Sequence, residues 1–233
     1  MITSLTNPAV KLAASLHQKK YRDETGLFLV EGEEMIAMAG AQGWKIAHDF
    51  VLRQSATAEI LKKISKKDNP QPRIAVFKKK PFSALPTHID TVLPALEEIR
   101  DPGNLGTILR TCHALGLKHL LLVGECCDLY APETIRASMG SFAFVECIAA
   151  SQKELIQSQL RLIGTDVVDA TNYRQIDYTG AVLVLGNEQK GLSPELKRAC
   201  TANAHIPMPG GAESLNVAMA ATLLLYEAML KRI

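Results

Sequence analysis

The chain has 233 residues, 47% hydrophobic and 21% charged, with a formal net charge of +2. That balance fits one large or two small soluble globular domains, and no apolar run approaches the roughly 20 residues needed to span a bilayer. The opening MITSLTNPAVK lacks the apolar core of a signal peptide, and the cysteines Cys112, Cys126, Cys127, Cys147 and Cys200 show no CxxC spacing; together these argue against secretion, a disulfide framework or a zinc site, and for a reducing cytoplasm.

Charge is segregated along the chain. Residues 1–90 carry 14 Lys/Arg against 9 Asp/Glu, whereas residues 91–233 carry 12 against 15. The positive excess sits in runs such as Lys19-Lys20-x-Arg22, Lys62-Lys63, Lys66-Lys67 and Lys78-Lys79-Lys80. Any one of these runs also suits a solvated helix face. Their confinement to one half is the footprint of a phosphate-backbone binder.

In chain order, Asn7-Pro8 predicts an N-cap with proline at the first helical position, opening a helix to about Tyr21. Gly26 introduces a strand at Leu27–Val30, and a second helix runs to about Gly40. Strands follow at Ile46–Leu52 and Ile74–Phe77, with a lysine-rich helix at about 56–67 between them. The Pro81–Pro86 stretch reads as a linker. Beyond it, strands at about Thr91–Leu96, His119–Val123, Phe142–Cys147, Leu162–Asp166, Ala181–Leu185 and Ala204–Ile206 alternate with helical segments. Such alternation implies a mostly parallel sheet covered on both faces. A conventional nucleotide-binding domain has its glycine-rich turn after the first strand. Here the Gly/Pro-rich loops come last, at Gly186–Gly191 and Pro207–Gly211.

The last of these loops ends in Glu213-Ser214-x-Asn216 and runs straight into a helix at Asn216–Met229 that is apolar on nearly every face. A helix of that composition is expected to be buried in a core or against another subunit. Its N-terminal amides would then meet the loop in a desolvated pocket suited to a ligand of adenosine size.

Three segments, DPGNLGTILRTC at 101–112, VLVLGNEQKGL at 182–192 and IPMPGGAESLNVAMAATLLLYE at 206–227, occur in an order and spacing that resemble the signature motifs of the SpoU/TrmH family. RASMG at Arg136–Gly140 lies between the first and second. The family comprises S-adenosylmethionine-dependent RNA 2′-O-ribose methyltransferases of the SPOUT class. The resemblance implies an α/β fold with a mostly parallel sheet and a C-terminal trefoil knot, an exception to the no-knot rule, over residues 87–233. The stretch NPAVKLAASLHQKKYRDETGLFLVEG also resembles the small ribosomal-protein-like α/β domain that binds substrate in this family, giving a substrate-binding domain with linker over residues 1–86. It further implies S-adenosyl-L-methionine as the cofactor, no metal, ribosomal RNA ahead of transfer RNA as the partner, and a homodimer through the C-terminal domain in which both subunits contribute to each active site.

The candidate catalytic residues are Arg110, Asn104, Glu188, Ser214 and Asn216. In the helix after Gly103-Asn104, Leu105, Ile108, Leu109 and Cys112 form one apolar stripe, and Arg110 points well away from it. Geometry alone suits a surface arginine; the resemblance puts Arg110 on the family's catalytic arginine. A free guanidinium stays protonated, so anchoring phosphate and stabilising a developing alkoxide is the easier role than acting as base. Asn104, ahead of the helix, reads as its N-cap and as an active-site contact. Glu188 leaves a buried strand into a glycine-flanked turn and needs a partner, either Arg110 or a backbone amide. Ser214 reads as the cap of the last helix, with Asn216 inside the first turn, where an asparagine needs amide partners. Leu185, Gly186, Gly191, Ile206, Met208, Leu215 and Asn216 are the candidate cofactor residues. At Gly186, Ile206 and Leu215 the resemblance implies backbone contacts to the adenine and methionine parts. Two alternatives stay open: a tRNA ribose or base methyltransferase of the same class, and a non-catalytic RNA-binding assembly factor on the same fold.

Overall fold

A computed structural model describes residues 1–166 and 170–230. The chain divides into two compact units, Met1–Pro81 with Asp128–Phe144, and Phe82–Cys127 with Val145–Ile233. The linker expected at Pro81–Pro86 coincides with the passage between them, but a segment carrying RASMG packs with the first unit.

The first unit opens with α1 (Pro8–Ser15) and α2 (Lys19–Thr25), followed by β1 (Leu27–Glu31), α3 (Glu33–Ala41), β2 (Ile46–Val51), α4 (Ala58–Ser65) and β3 (Arg73–Lys78). Asn7 caps α1 by accepting a hydrogen bond from the Ala9 amide, with Pro8 in the first turn. The single helix expected to Tyr21 is two. Ser15 Oγ bonds back to the Leu12 carbonyl and the chain breaks at Leu16–Gln18, where Leu16 is fully buried and His17 Nε2 lies 2.8 Å from the Ile64 carbonyl. Tertiary anchoring of those two side chains outweighs helix continuation. The three strands form an antiparallel sheet in the order β1-β3-β2, whose core includes Val10, Leu16, Leu29, Phe50, Ile60 and Ile74.

The second unit begins with β4 (Val92–Glu97), α5 (Pro102–Ala114) and β5 (His119–Val123). The chain then returns to the first unit as α6 (Pro132–Ala137) and a short 3-10 turn at Ser141–Ala143. The strand expected at Phe142–Cys147 is therefore split: its first half is this turn, and only Glu146–Ala150 forms a strand, β6. Phe142 is buried against Phe28 and Trp44, with ring centroids 5.7 and 5.4 Å away, and the Trp44 indole N–H donates to the Ala143 carbonyl. An apolar run reads alike whether it feeds a strand or a core turn. Arg22 holds the same segment: its guanidinium, almost wholly buried, donates twice to Asp128 and once to the Leu16 carbonyl.

Back in the second unit follow α7 (Gln152–Gln157), β7 (Arg161–Thr165), β8 (Thr171–Asn172), β9 (Ala181–Leu185), α8 (Pro194–Ala199), β10 (Ala202–His205) and α9 (Val217–Leu230). Among the described residues these build a seven-stranded sheet, β6-β5-β4-β9-β7-β10-β8, in which every pairing is parallel. β4 and β9 are buried along their whole lengths, as a sheet covered on both faces requires. The two-residue β8 carries too little pattern to be read from sequence.

Candidate active site

In a parallel sheet the carboxyl ends of all strands open on one edge, where loops can gather around a ligand. At this edge β9 passes into Gly186–Leu192 and β10 into Ile206–Asn216, with Thr165 and Asp166 at the end of β7. Together these line a cavity of about 640 Å³.

Gly186 explains how the first loop is built. It is buried, and a Cβ there would lie 2.2 Å from the Gly191 carbonyl carbon and 2.3 Å from the Leu192 nitrogen. The loop folds back onto the Gly186 backbone and is pinned by reciprocal hydrogen bonds between Asn187 and Gly191, at 3.0 and 2.9 Å. Asn187 also donates through Nδ2 to the Glu98 carbonyl and accepts from the amides of Gln189 and Lys190. Glu97, buried at the end of β4, accepts from Gln152 Nε2 and the Ser193 amide, tying the start of α8 to the same edge. Asp166 forms an ion pair with Lys197 beside the cavity.

Of the residues expected from sequence, Leu185, Gly186, Glu188, Gly191, Ile206, Met208, Ser214, Leu215 and Asn216 all line this cavity. Asn104 joins them through a polar chain. Asn216 Nδ2 donates to Asn104 Oδ1 at 3.0 Å, and Asn104 Nδ2 donates to Glu188 Oε1 at 3.0 Å. The other Glu188 oxygen accepts from the Arg100 amide at 3.4 Å. Glu188 thus has a side-chain amide and a backbone amide as partners, and not Arg110.

The capping roles differ from those read in the sequence. Asp101, not Asn104, caps α5 by accepting from the Asn104 amide at 2.7 Å, which frees the Asn104 side chain. The Asp-Pro pair at 101–102 carried that signal. Asn216, not Ser214, caps α9: its Oδ1 accepts from the Ala218 and Met219 amides. Ser214 is exposed and makes no hydrogen bond among the described residues. The Gly/Pro-rich loop also differs from the interior pocket expected, because residues 209–216 are exposed. α9 buries only one side, along Val217, Ala218, Ala221, Leu224, Leu225 and Ala228, and leaves Met219, Leu223, Tyr226 and Leu230 exposed at 66, 38, 43 and 57%.

Arg110 is exposed on α5, its side chain makes no hydrogen bond or ion pair among the described residues, and it does not line the cavity. α5 packs on α9, where Thr111 and Thr222 hydroxyls meet at 2.8 Å. Arg110, one residue before Thr111, and Leu223, one residue after Thr222, are both exposed on these packed helices. Burial pushes the Cys127 thiol up to about 12, helped by Cys126, Glu188 and Asp101, and raises Cys126 as well. Near neutral pH both are protonated thiols and poor nucleophiles.

The cavity fits S-adenosylmethionine. Leu185, Ile206, Met208 and Leu224 offer an apolar lining, and Gly186 lets the loop fold back at the cavity's edge.

Comparison with known proteins agrees with this geometry. The sequence profile of the SpoU rRNA Methylase family matches residues 92–226, and that of the MRM3-like substrate binding domain matches residues 7–59. A crystal structure of an AdoMet-bound rRNA methyltransferase from Sinorhizobium meliloti superposes with a TM-score of 0.91 at 37% identity, covering 100% of this chain and 98% of that one. A 23S rRNA (uridine(2479)-2'-O)-methyltransferase of Streptomyces viridochromogenes is 30% identical over 100% of this chain and 92% of its own length. A 23S rRNA (guanosine(2553)-2'-O)-methyltransferase of Bacillus subtilis is 29% identical over 97% of both.

Proposed function

This chain belongs to the SpoU rRNA methylase family and is an S-adenosylmethionine-dependent RNA 2′-O-ribose methyltransferase; from that premise we propose that its substrate is one ribose of large-subunit ribosomal RNA, methylated by a cytoplasmic homodimer. The observation that carries the reading is the polar chain Glu188–Asn104–Asn216 beside a cofactor-sized cavity at the strand ends.

S-adenosylmethionine bound in the cavity supplies an electrophilic methyl group for in-line transfer. The chain's own groups do the rest. Gly186–Leu192 and Ile206–Asn216 hold the donor. Asn216 fixes the start of α9 with its carbonyl oxygen while its amide orients Asn104, and Glu188 receives the Asn104 amide. Exposed Ser214 is available to the incoming ribose. Arg110 anchors an RNA phosphate and stabilises the 2′-oxygen as its proton leaves to phosphate or water, a role a permanently charged planar donor fills better than that of a base.

Two features that a lone chain leaves open support the dimer. The exposed apolar row Met219–Leu223–Tyr226–Leu230 needs a cover, and Arg110, exposed on the helix that packs against α9, does not line the cavity. A second copy seated on α9 supplies the cover and brings Arg110 to its partner's cavity. The same reading includes the C-terminal trefoil knot; convergence of the loops after β9 and β10 on one cavity supports it.

The experiment is a map of 2′-O-methylation across rRNA and tRNA from strains with and without the gene. Loss at a single large-subunit rRNA ribose is expected. Loss confined to tRNA, or no loss at all, would overturn the substrate assignment.

A further inference from the structure

The first unit contains a cavity of about 250 Å³ that methyl transfer leaves unused. Its floor is apolar, formed by Leu29 of β1, Met35 of α3 and Ile74 of β3. Around that floor stand polar groups with capacity to spare. His17 Nε2 donates to the Ile64 carbonyl, so the neutral ring presents Nδ1 as an acceptor. The side chains of Lys66, at the left-handed end of α4, and Arg136, from RASMG on α6, make no hydrogen bond or ion pair among the described residues.

The carboxylates at this cavity differ in availability. Glu31 is fully engaged: burial alone would push its carboxyl up, but hydrogen bonds from Lys67 Nζ, the Gln71 amide and Ser65 Oγ outweigh that and hold it below the ordinary range. Glu133 lines the cavity as well, so three cations face two carboxylates. This small positive excess does not suit a polyphosphate. It suits the single charge of a phosphodiester attached to a flat apolar body. The lysine run at 78–80 is a poorer anchor than its sequence suggests. Lys79 is bound to Asp23 and lies over the Tyr130 ring, and Lys80 lies over Trp44.

We propose that this cavity takes one unstacked nucleotide of the RNA substrate, its base against Leu29, Met35 and Ile74 and its phosphodiester on Lys66 and Arg136. Single-stranded RNA is commonly read this way, through bases splayed out of the stack. The proposal rests on the RNA-substrate reading above and adds a nucleotide site within the first unit.

The test uses the full chain with 13C-methyl-labelled methionine, following the Met35 methyl during titration with AMP, GMP, CMP and UMP, and separately with inorganic phosphate. A saturable Met35 shift with at least one nucleotide and none with phosphate is expected. The Lys66→Gly, Arg136→Gln double variant should weaken it about tenfold or more, the order expected on losing a charge-assisted hydrogen bond. Glycine suits the left-handed conformation at 66, so the helix end survives. The same variant should bind 23S rRNA more weakly while S-adenosylmethionine affinity stays unchanged. No shift with any nucleotide, or an equal shift with phosphate, would overturn the site even if methyl transfer proceeds. Absence of methyl transfer would instead strike the functional reading and leave the titration interpretable.

Discussion

Gly186→Ala isolates the contribution of the loop crossing. The added methyl would lie 2.2, 2.3 and 2.5 Å from backbone atoms of Gly191 and Leu192. Ordinary carbon contacts need about 3.5 Å, so the returning strand of the loop must move by roughly 1 Å. No flexible side chain can absorb that shift, and it strains the paired Asn187–Gly191 hydrogen bonds. Overpacking of this kind costs about 1–3 kcal/mol, equivalent to a fall in Tm of roughly 2–4 °C for each kcal/mol in a chain of this size. Because the same loop lines the cofactor cavity, S-adenosylmethionine affinity should fall about 10- to 100-fold, or ~1.4–2.8 kcal/mol. Calorimetric titration beside a thermal melt reads both effects. Gly210→Ala is the control: a Cβ there meets nothing within 4 Å, and its backbone needs no positive φ. If Gly186→Ala bound the cofactor within about threefold of wild type, less than ~0.7 kcal/mol, the loop would not form the site as described.

Asn216→Asp keeps the acceptor that caps α9 but removes the amide donated to Asn104. Tm should therefore hardly change, aspartate being as good a cap, while methyl transfer drops at least about tenfold, ~1.4 kcal/mol of barrier; matched losses in both would make Asn216 merely structural. Leu223→Glu with Tyr226→Glu puts charge into the exposed row on α9. Sedimentation should show wild-type dimers and variant monomers, and a wild-type monomer at micromolar concentration would contradict the dimer. Burial lowers the His17 pKa below 6.5, with the Ile64 carbonyl and Glu133 opposing it and Lys66 and Arg22 assisting. Between that lowered value and 6.5 the unfolded chain binds more protons, so stability falls as pH drops below about 6.5. His17→Gln should flatten that part of the profile in denaturant titrations, and an unchanged slope would show that His17 does not cause it.

The parallel sheet was legible because Val92–Leu96 and Val182–Leu185 are continuous apolar runs bounded by turns, and the glycine-rich loops after β9 and β10 marked its ligand edge. Asn104, Glu188 and Asn216 were legible as polar residues at strand–helix junctions. Their mutual hydrogen bonds were not, because residues 84 and 112 positions apart meet only through the sheet order. Ser214 and Asn216 look equally apt as caps in one dimension; the helix start at Val217 decides between them. Arg136 and Phe142 belong to the second half of the sequence but pack with the first unit. No periodicity announces such an insertion, which is why the strand expected at Phe142 was half wrong. The basic runs pointed to RNA without showing which lysines are available for it. Charge counts say nothing of pairing, and Lys19, Lys67 and Lys79 spend theirs on Asp23 and Glu31.

The most direct measurement is methyl transfer by the purified protein. Large-subunit rRNA from a strain lacking the gene is incubated with methyl-labelled S-adenosylmethionine, and the product is mapped by resistance to alkaline cleavage. The account predicts label on one ribose 2′-oxygen, with Arg110→Ala turning over at less than about a hundredth of the wild-type rate, ~2.7 kcal/mol of barrier, at unchanged cofactor affinity. Label on a base, no label on any RNA, or an Arg110→Ala rate above about a tenth of wild type would contradict it.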